Sequence, residues 1–537
     1  MLTTQQRYLG LAPALAAQAA AVERALREAQ PEVAERHWNG LALGAANHPE
    51  VLRLRGVIEH MRGRPERALE SLVASVRLRP QDPLAFSYMG ACYEALGDSD
   101  NTLKAFRAAC EQGPDSAEHW FNFGRALNAY GWNEHALAVL RQALKIAPGD
   151  QRARAMLASV LNAEGRSEEA VSEYRRILAE NPASGLSWWG LALTKPMPLD
   201  RADVEAMRAA LARSDTGDYD RAVVHFALAH ALEFLGDHAA ALESLHSAHA
   251  MAKRGRDLWD VAASRAHTRR SLEAFTDLPA ANPDDPGREV IFIVSLPRSG
   301  STLTEQILAS HPQVSGTLEL PDLPEVLSEA STRHQAAFPD WAPALSRDDW
   351  QALGGRYLER TQRWRRERPR MTDKLPGNWR HIGAILSMLP NARVVVVRRD
   401  SLETCLACYR MLLDHHEYTH DFVSLAEFWR DFDHATAEWQ RRCPDRVRVQ
   451  SYEALTLEPE AQIRQLLDFC DLPFDPACLA FHATRRRVST PSASQVREPM
   501  RRSTARADGY GALLDPLRSA LGLPAFADRR TEERAAS

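Results

Sequence analysis

A spacing of 34 residues recurs through the first part of the chain. The glycines that keep this interval are Gly63, Gly97, Gly131 and Gly165, and the prolines that keep it in a second phase are Pro80, Pro114, Pro148 and Pro182. Two residue types that share one period indicate a structural repeat, in which each unit is too small to bury its own apolar face and stacks on its neighbours. The period therefore restricts this part of the chain to an extended stack of similar units.

Each unit contains the parts of a helix pair. A small residue early in the first helix, as at Gly56 or Gly90, lets the paired helix approach closely, and the proline ends the second helix. The sequences Glu66-Arg-Ala-Leu69 and Glu134-His-Ala-Leu137 occupy the same place in the second helix of their units. This period and this pattern are those of the tetratricopeptide repeat.

A further unit at residues 225–250 contains Gly236 and is shifted out of phase by an insertion between Thr194 and Asp220. We therefore predict an all-α tetratricopeptide solenoid over residues 1–255, followed by a connecting helix and linker over 256–288. Solenoids expose a concave groove, so we expect the repeats to bind a protein or peptide partner.

The pattern changes at Val290. The run Val290–Val294 is continuously apolar and rich in β-branched residues, which predicts a central parallel strand. A loop follows and a helix is predicted after it; the loop and the start of the helix comprise Pro297, Arg298, Ser299, Gly300, Ser301 and Thr302. Free N–H groups at a helix start bind anions, so the pattern predicts a phosphate-binding loop. An ordinary strand-to-helix turn is the alternative interpretation.

The domain that contains this loop is predicted to be α/β, to have a central parallel sheet and to cover residues 289–525, with a polar tail at 526–537. The loop differs from that of nucleoside-triphosphate-binding proteins. No glycine opens it, and Ser301 stands where those proteins have a lysine. The sequence therefore points to an anionic cofactor of another kind.

Three further segments supply positive charge. Lys374 is one of only 5 lysines among 66 basic residues, which suggests that a compact point charge is needed there. Arg398 and Arg399 fall at the end of a second β-branched strand and could bind another phosphate as a pair or form a surface salt bridge to Asp400 or Glu403. Arg497 lies in a segment of hydroxyl and arginine residues that suits either closure over an anion or a solvated basic tail.

Residues 288–506 resemble the sulfotransferase family that uses 3′-phosphoadenylyl sulfate (PAPS), particularly its tyrosylprotein-sulfotransferase-like branch. The segment Pro297–Thr302 resembles the family's loop for the 5′-phosphosulfate end of the cofactor. Arg399 matches the family's arginine for the 3′-phosphate. Tyr452 and Ser492 match positions that contact the cofactor. The resemblance implies PAPS as the sulfuryl donor and 3′,5′-ADP as the product that leaves.

The resemblance also implies catalytic roles. Glu319 aligns with the branch's catalytic glutamate and would take the proton of the acceptor hydroxyl. Lys374 matches the lysine used at the transferring group, and together with Arg298 it would offset charge on the departing phosphate. This scheme requires no metal.

The chain departs from the family at the acceptor side and at one donor position. Ala407 stands where the family usually has a serine eight residues after its arginine, which concerns the 3′-phosphate contact. Pro321 and Glu325 occupy positions at which the animal protein-tyrosine enzymes have arginines. The donor is therefore better defined than the acceptor, for which tyrosine, sugar and small-molecule hydroxyls all remain open.

The composition of the chain limits the classes of protein to which it can belong. A net charge of −5 gives no reason to expect nucleic-acid binding. The sequence contains no stretch of about 18 apolar residues, so no membrane-spanning helix is predicted. Seven cysteines scattered over a long chain suggest a reducing compartment, so we expect a cytoplasmic protein. Cys405 and Cys408 form a C-x-x-C pair, for which helix packing is the preferred interpretation and zinc binding the alternative.

Two functions of different classes follow. The first is a PAPS-dependent sulfotransferase that modifies an acceptor hydroxyl, with the repeats recruiting a protein or peptide acceptor or partner. The second is a non-catalytic adaptor in which the sulfotransferase-like domain serves as a nucleotide-binding module.

Overall fold

The computed structural model describes residues 4–254, 259–278, 280–317, 319–413, 416–484, 486, 495–500 and 505–527. The chain divides into two compact units between Glu180 and Asn181. No helix in the described ranges is both long enough and apolar enough to cross a membrane.

The first unit consists of helices only. They are α1 (Thr4–Arg7), α2 (Pro13–Arg27), α3 (Pro31–Ala45), α4 (Pro49–Met61), α5 (Pro65–Leu78), α6 (Pro83–Ala95), α7 (Ser99–Gln112), α8 (Ala117–Ala129), α9 (Asn133–Ile146), α10 (Gln151–Ala163) and α11 (Ser167–Glu180). From α4 onwards they pack in successive pairs, α4 with α5, α6 with α7, α8 with α9 and α10 with α11. The predicted helical solenoid is confirmed.

The repeated glycines have two separate physical roles. Gly63 and Gly97 follow the first helix of their pairs with φ of +69° and +70°, in the left-handed region that glycine enters without strain. Gly90 lies inside a first helix, where an added Cβ would be 2.8 Å from Cδ1 of Phe106 on the paired helix. The repeated prolines, such as Pro80, come two residues after the second helix ends.

The second unit begins with five more helices: α12 (Gly185–Leu193), α13 (Arg201–Ala212), α14 (Asp218–Phe234), α15 (His238–Ala252) and α16 (Val261–Ala274). The insertion in the repeat pattern contains α13. His249 of α15 donates from Nε2 to the carbonyl of Tyr409 at 2.8 Å and stacks on the Tyr409 ring. These helices therefore belong to the same unit as the sheet, and the predicted boundary at residue 255 falls inside this unit.

A five-stranded sheet forms the centre of this unit. Its strands are β1 (Val290–Ser295), β2 (Val314–Ser315), β3 (Arg370–Lys374), β4 (Arg393–Arg398) and β5 (Val447–Ser451). They are arranged in the order β2-β3-β1-β4-β5, and all neighbouring strands are parallel. The predicted central parallel sheet is confirmed.

Helices cover both faces of the sheet. They are α17 (Ser301–Ala309), α18 (Asp322–His334), α19 (Arg347–Arg360), α20 (Ile382–Met388), α21 (Ser401–Tyr409), α22 (Phe422–Arg442), α23 (Tyr452–Leu457), α24 (Pro459–Phe469), α25 (Arg506–Tyr510) and α26 (Asp515–Leu521). Ile291 and Ile293 of β1 pack with α17 and α24 in one buried cluster. Phe292 points to the opposite face and meets the ring of Tyr357 on α19 at 5.6 Å between centroids.

Candidate active site

The candidate site lies at the carboxyl edge of the sheet. β1 leads into the loop Pro297–Thr302, β3 ends at Lys374, Arg399 follows β4, and Tyr452 follows β5. Because the strands are parallel, these ends meet at one edge, which is where ligands bind in open α/β sheets. The fold thus brings together residues that are up to 155 positions apart in the chain, counted from Pro297 to Tyr452.

The loop after β1 has a strained backbone and buried hydroxyls. Arg298 adopts a left-handed conformation with φ of +65°, which is uncommon for a residue with a side chain, and Gly300 follows with φ of +99°. Ser299, Ser301 and Thr302 are all buried. Gly300 precedes α17, and no side chain caps that helix start in the described part of the chain. Amides at such a start suit an anion.

Gly300 and Tyr452 are in close contact. An added Cβ at Gly300 would lie 2.5 Å from Cδ2 of Tyr452, so only glycine fits at this position. The Arg399 guanidinium lies over the Tyr452 ring at 5.1 Å from the centroid, and its Nη1 donates to the carbonyl of Arg298 at 3.3 Å. The loop, Arg399 and Tyr452 therefore form one continuous wall.

One part of the Arg399 guanidinium donates to a neighbouring carboxylate, and another N–H of the same group is still able to donate. Its Nη2 donates to Oε2 of Glu403 at 3.0 Å, while its Nε is buried and has no hydrogen-bond partner in the described ranges. Burial raises the pKa of Glu403. This N–H could donate to an anionic ligand, although Nε of Arg398 is likewise buried without a hydrogen-bond partner among the described residues.

Arg398 does not pair with Arg399 as a second phosphate grip. Its Nη2 donates to Oγ1 of Thr436 at 3.2 Å, and its Nε lies 3.2 Å from Oδ1 of Asp433, both on α22. The partners of Arg399 are instead Arg298 and Glu403, so these two arginines are directed apart. The two arginines therefore do not act as a pair: Arg398 is ion-paired with Asp433, and the expected ion pair with Glu403 is formed by Arg399.

Positive charge is concentrated around the loop. Burial lowers the pKa of the Arg298 guanidinium, and the neighbouring charges of Arg410, Arg399 and Arg506 lower it further. A bound anion would offset both the cost of burying this charge and the repulsion from its neighbours. The loop therefore suits an anionic ligand.

Lys374 and Glu319 form an ion pair beside the loop. Lys374 Nζ donates to Oε1 of Glu319 at 2.6 Å, with the lysine side chain 1% exposed and the glutamate side chain 46% exposed. Lys374 pairs with Ile293 in the register of the sheet, which places it next to the strand that leads into the loop. The sheet edge thus contains a buried ammonium group paired with a carboxylate that is partly exposed to solvent.

Three further positions remain from the sequence analysis. Ser492 lies outside the described residues. Arg497 belongs to a short 3₁₀ helix, Gln495–Arg497, that packs against α17. Ala407 is half-buried on α21, one residue before Cys408.

Sequence reasoning named Cys408 as a packing residue but missed Glu305 and Arg486 near the site. Cys408 donates from Sγ to the carbonyl of Pro297 at 3.2 Å, and burial raises the pKa of its thiol to about 12. Glu305 and Arg486 form a buried ion pair behind the loop. Nothing in the sequence marks either of the last two, because Glu305 has the spacing of an ordinary helical residue and Arg486 lies in a run of three arginines. No group of three or more His, Cys, Asp or Glu among the described residues could hold a metal ion.

The fold and the site define an α/β domain that suits a polyanionic ligand at its carboxyl edge, preceded by helical repeats. Residues 290–476 match the family model described as the sulfotransferase family. Residues 93–150 and 127–193 each match a model of the tetratricopeptide repeat. The chain therefore contains one region that matches the sulfotransferase family and two overlapping regions that match the tetratricopeptide repeat.

Three relatives match at the level of sequence. An uncharacterized protein of Aquifex aeolicus is 32% identical over 297 residues, which are 53% of this chain and 39% of that protein. A protein-tyrosine sulfotransferase of Drosophila melanogaster is 26% identical over 204 residues, or 35% of this chain and 39% of that protein. Protein-tyrosine sulfotransferase A of Caenorhabditis elegans is 26% identical over 200 residues, or 35% of this chain and 51% of that protein. The chain thus spans about half the length of these relatives or less.

Solved structures are similar at low identity. MamA from Desulfovibrio magneticus is 19% identical with a TM-score of 0.28, over 32% of this chain and 96% of that one. A tetratricopeptide repeat protein from Parabacteroides merdae is 14% identical with a TM-score of 0.34, over 45% of this chain and 95% of that one.

Proposed function

We propose that this protein is a PAPS-dependent sulfotransferase that transfers a sulfuryl group to an acceptor hydroxyl. The observation that carries the proposal is the Lys374–Glu319 pair, which lies at the same sheet edge as the loop Pro297–Thr302. The match to the sulfotransferase family and the similarity to protein-tyrosine sulfotransferases support it.

The residues at the edge fit the two anionic ends of this donor. The amides at the start of α17, the hydroxyls of Ser299, Ser301 and Thr302, and the Arg298 side chain would hold the 5′-phosphosulfate end. Arg399 would hold the 3′-phosphate, and its partnerless buried Nε supports this assignment. The ring of Tyr452 would hold the Arg399 guanidinium in place through the cation–π contact.

Each catalytic residue has a physical task. Bound PAPS would supply an activated sulfuryl group, and 3′,5′-ADP would leave. The Glu319 carboxylate would accept the proton of the acceptor hydroxyl, and its 46% exposure leaves it accessible from solvent. The Lys374 ammonium and the Arg298 guanidinium would offset the charge that develops on the leaving phosphate. No metal is needed in these steps.

The repeats would recruit the acceptor or a partner. Stacked helix pairs such as α4–α11 commonly bind extended peptides or proteins in their concave groove. We therefore propose a protein or peptide as the species that the repeats bind. The seven cysteines are all free and buried, which supports a reducing, cytoplasmic location.

The proposal is tested with purified full-length protein, sulfur-labelled PAPS and a cell extract as the source of acceptors. We expect label on a product, and we expect Glu319→Gln to reduce turnover by on the order of 100-fold to 10,000-fold while 3′,5′-ADP still binds. Glu329→Gln is the matched control, because Glu329 is 38% exposed and ion-paired with Arg356 on the neighbouring helix. It should leave turnover unchanged.

Two results would contradict the proposal. Full turnover in Glu319→Gln would remove Glu319 from the reaction. Binding of 3′,5′-ADP by the wild-type protein without transfer to any component of the extract would favour a non-catalytic adaptor.

A further inference from the structure

A closed set of polar contacts lies directly behind the Lys374–Glu319 pair. Thr317 precedes Glu319 by two residues, and Thr372 precedes Lys374 by two residues. Thr317 Oγ1 donates to the carbonyl of Thr372 at 2.8 Å, and the Thr317 amide donates to Oγ1 of Thr372 at 3.3 Å. The segment that carries the candidate base is therefore fastened to the strand that carries the candidate lysine.

Glu305 links this set of contacts to the helix that starts at the anion-binding loop. It lies on α17 and is 1% exposed. Its Oε1 accepts from Oγ1 of Thr372 at 3.1 Å, and its Oε2 accepts from Nη2 of Arg486 at 2.8 Å. One buried carboxylate thus connects the loop helix with strand β3.

Arg486 completes the connection. Its Nη1 donates to the carbonyl of Thr317 at 3.2 Å, and its Nε donates to Oε1 of Gln306 at 2.7 Å. The amide, the hydroxyl and the carbonyl of Thr317 are all engaged in this way. A buried ion pair with this many directed contacts fixes geometry, since moving either charge would leave the other without compensation.

We propose that Glu305 is a positioning residue, which with Arg486 sets the place of the Glu319 carboxylate relative to the loop Pro297–Thr302. This inference rests on the proposed function, because it assigns Glu305 a role in the same reaction. Glu305 acts through Thr372, Arg486 and Thr317, and it has no role in binding the donor. A displacement of about 1 Å in a reacting group can reduce turnover by on the order of 100-fold.

The test is Glu305→Gln in the full-length protein, which keeps the shape of the side chain and removes its charge. We expect kcat for sulfuryl transfer to fall by on the order of 100-fold. The affinity for 3′,5′-ADP, measured by calorimetry, should stay the same. Amide hydrogen exchange of residues 314–320 should become faster, because Arg486, which donates to the Thr317 carbonyl, loses the charge of its Glu305 partner.

Two further variants separate positioning from general destabilisation. Glu50→Gln removes another buried carboxylate, which pairs with Arg53 in the first unit, and should leave kcat unchanged. The double variant Glu305→Gln, Arg486→Leu removes both buried charges. It should recover thermal stability relative to Glu305→Gln but should not recover kcat.

The outcomes are distinct from those for the proposed function. Unchanged kcat in Glu305→Gln, or an equal loss of kcat and of 3′,5′-ADP affinity, would overturn the positioning role. If the wild-type protein transfers no sulfuryl group, the proposed function fails. Hydrogen exchange then tests only whether Glu305 and Arg486 hold the segment that carries Glu319 in place. Faster exchange confined to residues 314–320 supports it, and unchanged exchange there contradicts it.

Discussion

Asp373, next to Lys374 on β3, makes the stability of the sheet depend on pH. Its side chain is fully buried, and Tyr357 donates to its Oδ2 at 2.6 Å. Burial raises the pKa of this carboxyl from 3.8 to about 7, and the nearby charges of Asp322 and Glu305 act in the same direction. The folded protein therefore keeps a proton on Asp373 over a range in which the unfolded chain has lost it.

The sign and size follow from proton linkage. Between pH 3.8 and about 7 the folded state binds one more proton than the unfolded state, so the free energy of unfolding falls as the pH rises. Each pH unit corresponds to about 1.4 kcal/mol, which gives a total on the order of 4 kcal/mol across the range. The contribution is complete below the unfolded pKa and is lost as the pH rises through about 7.

Asp373→Asn isolates this contribution, because the amide cannot ionise and can still accept from Tyr357. Urea unfolding of the wild-type protein and of the variant is followed by tryptophan fluorescence from pH 5 to pH 9. Val395→Ala, which opens a cavity in the core of the sheet, identifies the transition that belongs to this unit. We expect the variant to gain about 2 to 3 kcal/mol relative to wild type between pH 5 and pH 7, and no more above that range.

A difference between the two proteins that does not vary with pH would refute this reasoning. It would mean that Asp373 is ionised, or equally protonated, in both states. A constant offset that is added to the pH-dependent difference is compatible with the reasoning, since the added amide N–H₂ changes a buried contact at every pH.

Two further predictions concern the donor site. Gly300→Ala should weaken 3′,5′-ADP binding by at least about tenfold, because alanine is strained at this φ and its Cβ would meet Tyr452; Gly377→Ala, where nothing lies within 4 Å, should bind normally. Calorimetry with 3′,5′-ADP checks both, and normal binding by Gly300→Ala would contradict the assigned loop. Arg399→Ala should reduce the affinity by about 10-fold to 100-fold, as expected for a lost charge-assisted contact, while Arg398→Ala should not. Equal losses in the two arginine variants would show that the strand faces are wrongly assigned.

The local sequence was sufficient to predict the helices, strands and loops, but not the contacts that their side chains make with one another. The run Val290–Val294 predicted a buried strand, and the break at Pro297 and Gly300 predicted the loop, because chain-local sterics decide both. Arg398 shows the limit. Its neighbour Arg399 is equally basic. The two side chains are directed apart only in the folded domain, where Arg398 contacts α22 and Arg399 contacts the carbonyl of Arg298.

Glu305 and Arg486 show the same limit over a longer distance. They are separated by 181 positions, and each has the appearance of an ordinary charged residue in its own segment. Their pairing depends on how α17 packs against the end of the sheet domain. A single sequence contains no signal for a contact of this kind.

The sequence by itself determined the helical repeats, the parallel strands and the turn at Pro297 and Gly300. A 34-residue period, β-branched runs and a glycine with a required left-handed φ act through neighbouring residues, so their effect does not depend on the rest of the fold. The tertiary structure alone decided that α12–α16 belong to the unit that contains the sheet, that Lys374 meets Glu319, and that Arg398 turns away. These outcomes depend on which faces become buried against each other, and burial is a property of the whole packed unit.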